Sequence, residues 1–167
     1  MLRRLWRILR PPEIVWITPE LALGPTFPNR QVGTLARAGV GSVIDLRSEA
    51  SDDEQVLAKH GLHLYHLPVA DKRAPTQAQL KKVTKWALKE IAAGRKVYVH
   101  CHAGIGRSPT LATAILIAMG YPLSDAYNAV RRRRPWATLS GVQWEALEQY
   151  ERSLPVRRPA DEEALPS

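Results

Sequence analysis

The sequence predicts an α/β domain with a central, mainly parallel sheet of about five strands, flanked by helices on both faces. Two observations predict this fold. Short runs of apolar and β-branched residues alternate along the chain with longer stretches of helical apolar periodicity. Turn and capping signals separate these runs, as in α/β domains whose strands are covered on both sides. Functional sites in such sheets lie at the carboxyl ends of the strands.

Five strands are predicted, over residues 14–17, 21–23, 42–46, 62–67 and 96–100. The first two are expected to pair with each other before the break at Gly24-Pro25. The third, with the sequence SVIDL, is typical of a buried strand.

Six helices are predicted, and three of them begin with the pattern of a capping box. The boxes pair Ser51 with Glu54, Thr76 with Gln79, and Ser140 with Gln143. The helices that they open are expected to end at Gly61, at Gly94 and near Leu154. The other three helices are expected over 30–38, over 107–119, and from Ser124 into the run Arg131–Arg134, which Pro135 stops.

The 167 residues suit one folded domain, which is expected to occupy residues 13–154. Residues 1–12 combine apolar residues at helical spacing with four arginines, which is typical of a short basic amphipathic helix. Such a helix can dock on the domain, contact an acidic membrane surface through residues 1–10, or serve as a mitochondrial presequence. Residues 155–167 are proline-rich and polar, and a disordered tail is predicted there.

The formal net charge of +8 favours anionic partners: phosphorylated substrates, acidic lipid surfaces or nucleic acid. The one cysteine, Cys101, cannot form an internal disulfide, which indicates a reducing compartment. No apolar run is long enough for a membrane span. We therefore expect a cytoplasmic protein, either free or peripheral to a membrane.

The segment VYVHCHAGIGRSPT carries the strongest functional signal in the chain. It places Cys101 at the carboxyl end of a strand and just before the start of a helix. Backbone N–H groups and the helix dipole favour an anion at such a position. Gly104 and Gly106 allow the backbone to curl closely around that anion. The segment therefore predicts a phosphate-binding loop with a thiol at its base.

Side chains around this loop suit nucleophilic chemistry. The positive field favours the thiolate of Cys101, which is the nucleophilic form of the group. Arg107 has a planar fork that can bind two phosphate oxygens, and Ser108 offers a hydroxyl that can stabilise the departing thiolate. His100 is expected to hydrogen-bond the loop backbone. The alternative is a buried structural cysteine on a tight turn.

A thiolate that attacks a bound phosphate ester would make this chain a phosphatase. Such a reaction also needs an acid, because an unprotonated alkoxide is a poor leaving group. Asp71 is a candidate, since it follows the strand over 62–67 and so lies at the same edge of the sheet as Cys101. Its position alone leaves open whether it is a catalytic acid or a solvated loop residue.

The motif HCHAGIGRS resembles the C-x5-R signature of the cysteine-dependent protein tyrosine and dual-specificity phosphatases. The resemblance covers roughly residues 21–150 and implies a dual-specificity phosphatase-like fold. It implies that Cys101 is the nucleophile, Arg107 the phosphate clamp, Asp71 the general acid and Ser108 the helper of thiolate departure. It also implies that backbone amides bind the phosphate, namely those of His102, Ala103, Gly104, Ile105, Gly106 and Arg107.

The implied activity is hydrolysis of phosphotyrosine, and also of phosphoserine or phosphothreonine, in proteins through a cysteinyl-phosphate intermediate. The resemblance implies no cofactor and no metal. Some members of the family position the hydrolytic water with a glutamine from a later loop. Gln143 fits that description, but its capping box explains it equally well, so both interpretations stay open.

The segment RRRRPWATLSGVQWEALEQY has a second resemblance, to the branch that contains the mitochondrial phosphatidylglycerophosphate phosphatase. Lys72 and Arg73, beside Asp71, would suit an acidic lipid. The loop interior carries no lysine, in contrast to many inositol-lipid phosphatases. A lipid phosphatase acting on phosphatidylglycerophosphate or a phosphoinositide is therefore the alternative to a protein phosphatase.

These motifs also allow other interpretations. A metal site built from the histidines at 60, 63, 66, 100 and 102 is disfavoured, because a metal on Cys101 would block its nucleophilicity. The run Arg131–Arg134 is interpreted as a solvated helix end or a docking patch for acidic substrate, and no nucleic acid is expected. A rhodanese-like sulfurtransferase would not need Asp71. An inactive phosphate-binding module is the alternative that is not an enzyme.

Overall fold

The structure, a computed structural model, describes residues 11–155 and residue 165. Its five-stranded sheet has the order β1-β2-β5-β3-β4. Strand β1 pairs antiparallel with β2, and all other neighbours are parallel, so the predicted mainly parallel sheet is confirmed. The strands are β1 (Val15–Trp16), β2 (Leu21–Gly24), β3 (Val40–Arg47), β4 (His63–Val69) and β5 (Lys96–His100).

Six α-helices connect and follow these strands in the described part of the chain. They are α1 (Val32–Arg37), α2 (Glu54–Lys59), α3 (Gln77–Ala92), α4 (Arg107–Ala118), α5 (Leu123–Arg133) and α6 (Gly141–Ser153). A short 3-10 turn, Asn29–Gln31, leads into α1.

The structure confirms two of the three predicted capping boxes, those of α3 and α6. The pairing of Ser51 with Glu54 at α2 is wrong. Asp53 lies directly before that helix and accepts from the N–H groups of Gln55 and Val56, whereas the hydroxyl of Ser51 donates to the carbonyl of Asp52. An aspartate adjacent to the first turn thus satisfies the free N–H groups better than a serine two residues earlier.

The start of α5 also differs from the prediction. This helix begins at Leu123, directly after Pro122, and not at Ser124. No side chain caps it, but the N–H of Leu123 donates to the carboxylate of Glu151 in α6. A bond across two helices therefore replaces the local cap that the sequence suggested.

The strands bury alternate side chains on opposite faces of the sheet. In β5, Val97 and Val99 belong to the larger core cluster, whereas Tyr98 between them belongs to the smaller one. The larger cluster includes residues of α3, α4, α5 and α6, and the smaller one includes residues of α1 and α2. Helices therefore cover both faces, as predicted.

This topology brings four loops to one edge of the sheet. Strand β5 lies between β2 and β3, and β4 follows β3. Because β2, β5, β3 and β4 are parallel, the segments that follow them emerge on the same side. The candidate site is built from these segments.

Two predicted segments lie wholly or largely outside the described residues. They are the amphipathic helix of residues 1–10 and most of the tail after Pro155. Within the tail, Leu165 is described, and it packs partly buried against the larger core cluster. Among the described residues, no helix has the length and apolarity needed to cross a membrane.

Candidate active site

The loop of residues 101–106 connects the central strand β5 to α4. Cys101 is buried at its start, and its Sγ accepts from the N–H of Gly104 at 3.2 Å. The hydroxyl of Ser108 lies 3.5 Å from the same sulfur. Helix α4 begins at Arg107, and its N-cap, Gly106, offers no side chain to its first turn. The sulfur therefore faces backbone N–H groups and a helix N-terminus, an arrangement that favours negative charge.

The backbone carbonyls of this loop all accept hydrogen bonds from groups that surround it. Because the two polar groups of a peptide unit point in opposite directions, these bonds turn the loop N–H groups inward. The donors to the six carbonyls of residues 101–106 are, in order, His100 Nδ1, Thr26 N, Arg134 Nη2, Arg134 Nε, Thr138 N and Thr110 N. The loop is thus shaped as an anion cradle by its protein neighbours alone.

Gly104 is required by this shape. Its φ of 68° lies in the left-handed region, and a Cβ there would stand 2.8 Å from the backbone of Gly24. The loop therefore packs directly on the end of β2, as only a glycine allows.

His100 bridges the loop to a buried charged cluster, as well as bonding the loop backbone as predicted. Its Nδ1 lies 3.1 Å from the carbonyl of Cys101, and its Nε2 lies 2.6 Å from Asp52 Oδ2. Arg47 bonds the carboxylates of both Asp45 and Asp52. Burial tends to raise the pKa of Asp45, but the bonds from Arg47 and the charge of His100 hold that pKa below its usual value.

Among the described residues, three side chains of this cluster lie close enough together to hold a metal ion. Asp45, Asp52 and His100 each offer one ligand atom within 4.8 Å of the others. The guanidinium of Arg47 already pairs with both carboxylates, so a divalent cation would have to displace it. The cluster is better suited to holding His100 than to holding a metal.

The other histidines lie in different surroundings. His63 Nδ1 bonds Glu90, and His66 Nε2 bonds the carbonyl of Arg47. His60 follows the end of α2, and His102 is exposed in the loop beside Cys101.

Arg107 is buried in the first turn of α4, and its guanidinium is held from one side. Its Nη1 and Nη2 donate to the two carboxylate oxygens of Glu49 at 2.8 and 2.7 Å, and Nη1 also donates to the carbonyl of Val69. Hydrogen bonding by Arg107 lowers the pKa of Glu49 to about 2, and the same bond raises that of Arg107. Sequence reasoning missed Glu49, because a glutamate in a surface loop carries no signal of its partner.

The Nε of Arg107 is buried and has no hydrogen-bond partner among the described residues. An arginine has five N–H donors, and Glu49 and Val69 take three of them. The remaining donors, on Nε and Nη2, lie on one edge of the guanidinium plane. This edge is the two-pronged surface that suits a phosphate.

Asp71 lies in the exposed loop after β4, with its side chain 77% accessible. Its Oδ1 is 3.8 Å from Arg107 Nε. Asp71, Cys101 and Arg107 line one cavity of about 430 Å³. The same cavity is lined by Lys72, His102, Ala103, Ile105, Gly106, Thr138, Leu139, Ser140 and Gln143. The three predicted reactive side chains are thus brought together. Ser108 and Gly104 do not line the cavity but approach the sulfur at 3.5 and 3.2 Å.

The prediction that the run Arg131–Arg134 is a solvated helix end is wrong for its last residue. Arg131, Arg132 and Arg133 are exposed, but Arg134 is buried at 2% exposure. Its Nε donates to the carbonyl of Gly104 at 2.5 Å, and its Nη1 pairs with Glu13 at 2.6 Å. The chain leaves the helix at Arg134, with φ of −135° and ψ of 81°, and this turns the side chain towards the loop.

Comparison with known proteins decides the family. A family model described as "Polymorphic toxin system, DSP-PTPase phosphatase" matches residues 25–121, more than half of the chain. The chain belongs to the DSP-PTPase phosphatases. This family is of the protein tyrosine and dual-specificity type, as the C-x5-R motif predicted.

Curated members of this family include relatives named for different substrates. The mouse "Phosphatidylglycerophosphatase and protein-tyrosine phosphatase 1" is 34% identical over 59% of this chain and 52% of its own length. The human "Dual specificity phosphatase 28" is 29% identical over 86% of this chain and 81% of its own length. The chain spans about half or less of the length of the first curated relatives it matches. It covers 38% of the length of the Arabidopsis thaliana "Phosphatidylglycerophosphate phosphatase PTPMT1".

Solved structures of the family share this fold. Tk-PTP in its active form is 30% identical with a TM-score of 0.80, and the match covers 86% of this chain and 99% of that one. PTPMT1 is 28% identical with a TM-score of 0.78, covering 84% and 94% of the two chains.

Proposed function

We propose that this phosphatase hydrolyses phosphate monoesters of proteins, phosphotyrosine and also phosphoserine or phosphothreonine, through a cysteinyl-phosphate intermediate. One observation carries the proposal: the sulfur of Cys101, the unpartnered edge of Arg107 and the carboxyl group of Asp71 face one cavity. An inactive module that only binds phosphate would not need all three groups in the same cavity.

The reaction proceeds in two balanced steps. The phosphate binds the inward N–H groups of residues 102–107 and the free edge of Arg107. The thiolate of Cys101 then attacks phosphorus in line, while the carboxyl group of Asp71 gives its proton to the leaving oxygen. A water molecule, deprotonated by the resulting carboxylate, next attacks the cysteinyl phosphate. This step releases phosphate and the thiolate, which Ser108 stabilises.

A lipid phosphate is the second candidate substrate. Ile105, Trp136 and Val142 are the exposed large apolar residues of the described chain, and each lies within two positions of a cavity-lining residue. Lys72 and Arg73 add positive charge beside Asp71. Relatives named phosphatidylglycerophosphate phosphatases, and a PTPMT1 structure "in complex with PI(5)P", support the same candidate.

A substrate panel tests the proposal. A phosphotyrosine peptide, a phosphothreonine peptide and phosphatidylglycerophosphate are each assayed with wild type, Cys101→Ser and Asp71→Ala. We expect Cys101→Ser to abolish turnover of every substrate, and undiminished turnover would contradict the mechanism. A more than tenfold preference for the lipid over both peptides, about 1.4 kcal/mol in transition-state terms, would favour the second candidate.

We also propose that residues 1–10 contact an acidic membrane surface, which rests on their basic amphipathic pattern. Co-sedimentation with anionic liposomes compares the full chain with a chain that starts at Pro12. Equal binding of the two proteins would contradict this contact.

A further inference from the structure

We infer that Ser140 and Gln143, at the start of α6, are positioning residues that hold the loop of Asp71 in place for proton transfer. The inference rests on the proposed function, because it takes Asp71 as the general acid. It assigns to Gln143 a task different from both interpretations of the sequence, which were water positioning and helix capping alone.

The turn that carries Asp71 needs external support. The N–H of Arg73 closes it onto the carbonyl of Ala70, and Lys72 within it has a φ of 61°. This left-handed conformation is unfavourable for a residue with a Cβ. The carboxylate of Asp71 accepts from the N–H of Lys72 at 3.0 Å and is otherwise largely open to solvent.

That support comes from two side chains of α6. The hydroxyl of Ser140 donates to the carbonyl of Lys72 at 2.7 Å, and Gln143 Nε2 donates to the carbonyl of Arg73 at 2.9 Å. The two carbonyls that directly follow Asp71 along the chain are therefore both held from outside the turn.

The capping box fixes the direction of these donors. The N–H of Ser140 donates to Gln143 Oε1 at 2.9 Å, and the N–H of Gln143 donates to Ser140 Oγ at 3.3 Å. With its oxygen engaged in the box, the amide of Gln143 must present its NH₂ group to Arg73. The box thus turns two helix-capping residues into two oriented donors.

Gln143 also lies beside Gly106 in the loop of Cys101. It is 1% exposed, and its Oε1 would stand 3.3 Å from a Cβ placed on Gly106. Shortly before α6, the N–H of Thr138 donates to the carbonyl of Ile105. The start of α6 therefore touches both the nucleophile loop and the acid loop, and it sets the separation between them.

Leaving groups of different basicity give the first test. The leaving group of p-nitrophenyl phosphate departs readily without a proton, whereas that of phenyl phosphate depends on the acid. We expect Ser140→Ala and Gln143→Leu to lower kcat/KM for phenyl phosphate by about ten- to a hundredfold. For p-nitrophenyl phosphate we expect a loss of about threefold or less. Equal losses on both substrates would overturn the inference.

The chain offers a matched control in the capping box of α3. Thr76 and Gln79 make the same reciprocal bonds as Ser140 and Gln143. Thr76→Ala should therefore lower thermal stability through the loss of the same kind of cap, without the leaving-group effect. Ser140→Thr keeps the hydroxyl and should retain near wild-type discrimination. If Thr76→Ala reproduced the kinetic effect, the inference would be overturned, because general destabilisation of the fold would then explain it.

A double mutant separates this inference from the proposed function. If Ser140 acts only through Asp71, Ser140→Ala should cause no further loss of phenyl phosphate turnover in an Asp71→Asn background. A full additional loss would overturn the inference and leave the acid assignment intact. Should Asp71→Asn alone leave phenyl phosphate turnover unchanged, the acid assignment in the proposed function would fail, and the inference with it.

Discussion

Glu49 fixes the guanidinium of Arg107 before any substrate arrives, because it bonds both terminal nitrogens. Without such a partner, a long arginine side chain would lose rotamer freedom only when phosphate binds, which would weaken binding. The bond to Glu49 therefore orients the guanidinium of Arg107 before an anion binds.

We predict that Glu49→Gln weakens phosphate binding. A glutamine can accept through one oxygen only, and its NH₂ group would face an N–H of Arg107, so the fork should shift. The inhibition constant of inorganic phosphate should rise by about tenfold. Glu54→Gln, at the exposed start of α2, is the control and should leave that constant unchanged. An unchanged constant in Glu49→Gln would show that Arg107 holds its position alone.

The same carboxylate gives a pH prediction. The pKa of Glu49 is lowered from 4.5 to about 2 by hydrogen bonding from Arg107, so the folded state binds a proton less readily than the unfolded state. Its contribution to stability is therefore complete above about pH 4.5 and is lost as the pH falls towards 2. Urea unfolding between pH 5 and about 2.5 should show a shallower loss of stability in Glu49→Gln than in wild type. Parallel curves would contradict this prediction.

The shape of the loop of residues 101–106 requires a glycine at position 104. Gly104 combines a positive φ with close contact to Gly24, whereas Gly61 has a φ of 77° and open space where a Cβ would stand. The two positions separate the cost of backbone conformation from the cost of crowding.

We predict that Gly104→Ala is far more damaging than Gly61→Ala. Gly61→Ala should cost about 1 kcal/mol of unfolding free energy, from the left-handed conformation alone. Gly104→Ala should cost about 3 kcal/mol and abolish turnover, because the loop must also move away from β2. Urea unfolding and phosphatase assays of both variants measure this, and equal effects would contradict the crowding argument.

Local signals in the sequence were sufficient for most elements but not for all. The boxes at Thr76 and Ser140 were predictable because each consists of residues three apart at the end of a turn. The start of α2 is mispredicted from the sequence because Ser51 and Asp53 are both candidate N-caps two residues apart, and propensity ranks them closely. The loop after β5 was recognisable because all its chemistry lies within nine consecutive residues.

Contacts between distant parts of the chain hold the candidate site together. Arg134 donates to the carbonyls of Ala103 and Gly104 and pairs with Glu13, near the start of the described chain. The guanidinium also lies 5.2 Å from the ring centre of Trp136. One buried arginine therefore links the region before β1, the nucleophile loop and the segment before α6.

We predict that Arg134→Ala destabilises the protein and inactivates it. The loop carbonyls of Ala103 and Gly104 would lose charged donors, at a cost of about 2–3 kcal/mol. Turnover should fall by more than tenfold, because the loop N–H groups would no longer be held inward. Arg132→Ala, in the same run but exposed, is the matched control and should resemble wild type in melting and kinetics. If both variants behaved alike, the assigned role of Arg134 would be wrong.

Such long-range relations could not be predicted from the sequence. Four successive arginines look alike in a sequence, and only the end of α5 selects Arg134 for burial. Likewise, the alternation of strands and helices predicts a parallel sheet but not the order β1-β2-β5-β3-β4. Glu49, Ser140 and Arg134 support the predicted site residues from positions whose sequence neighbours carry no phosphate motif.

The position of α6 has a consequence for how far the enzyme can be shortened. The match to the family model ends at residue 121 and so contains Cys101, Arg107 and Asp71. It excludes Arg134, Ser140 and Gln143, which donate hydrogen bonds to the loops of Cys101 and Asp71. A fragment of residues 25–121 would therefore carry every reactive group of the proposed mechanism and still be a poor catalyst. The segment that the family model matches is therefore shorter than the part of the chain that the proposed mechanism needs.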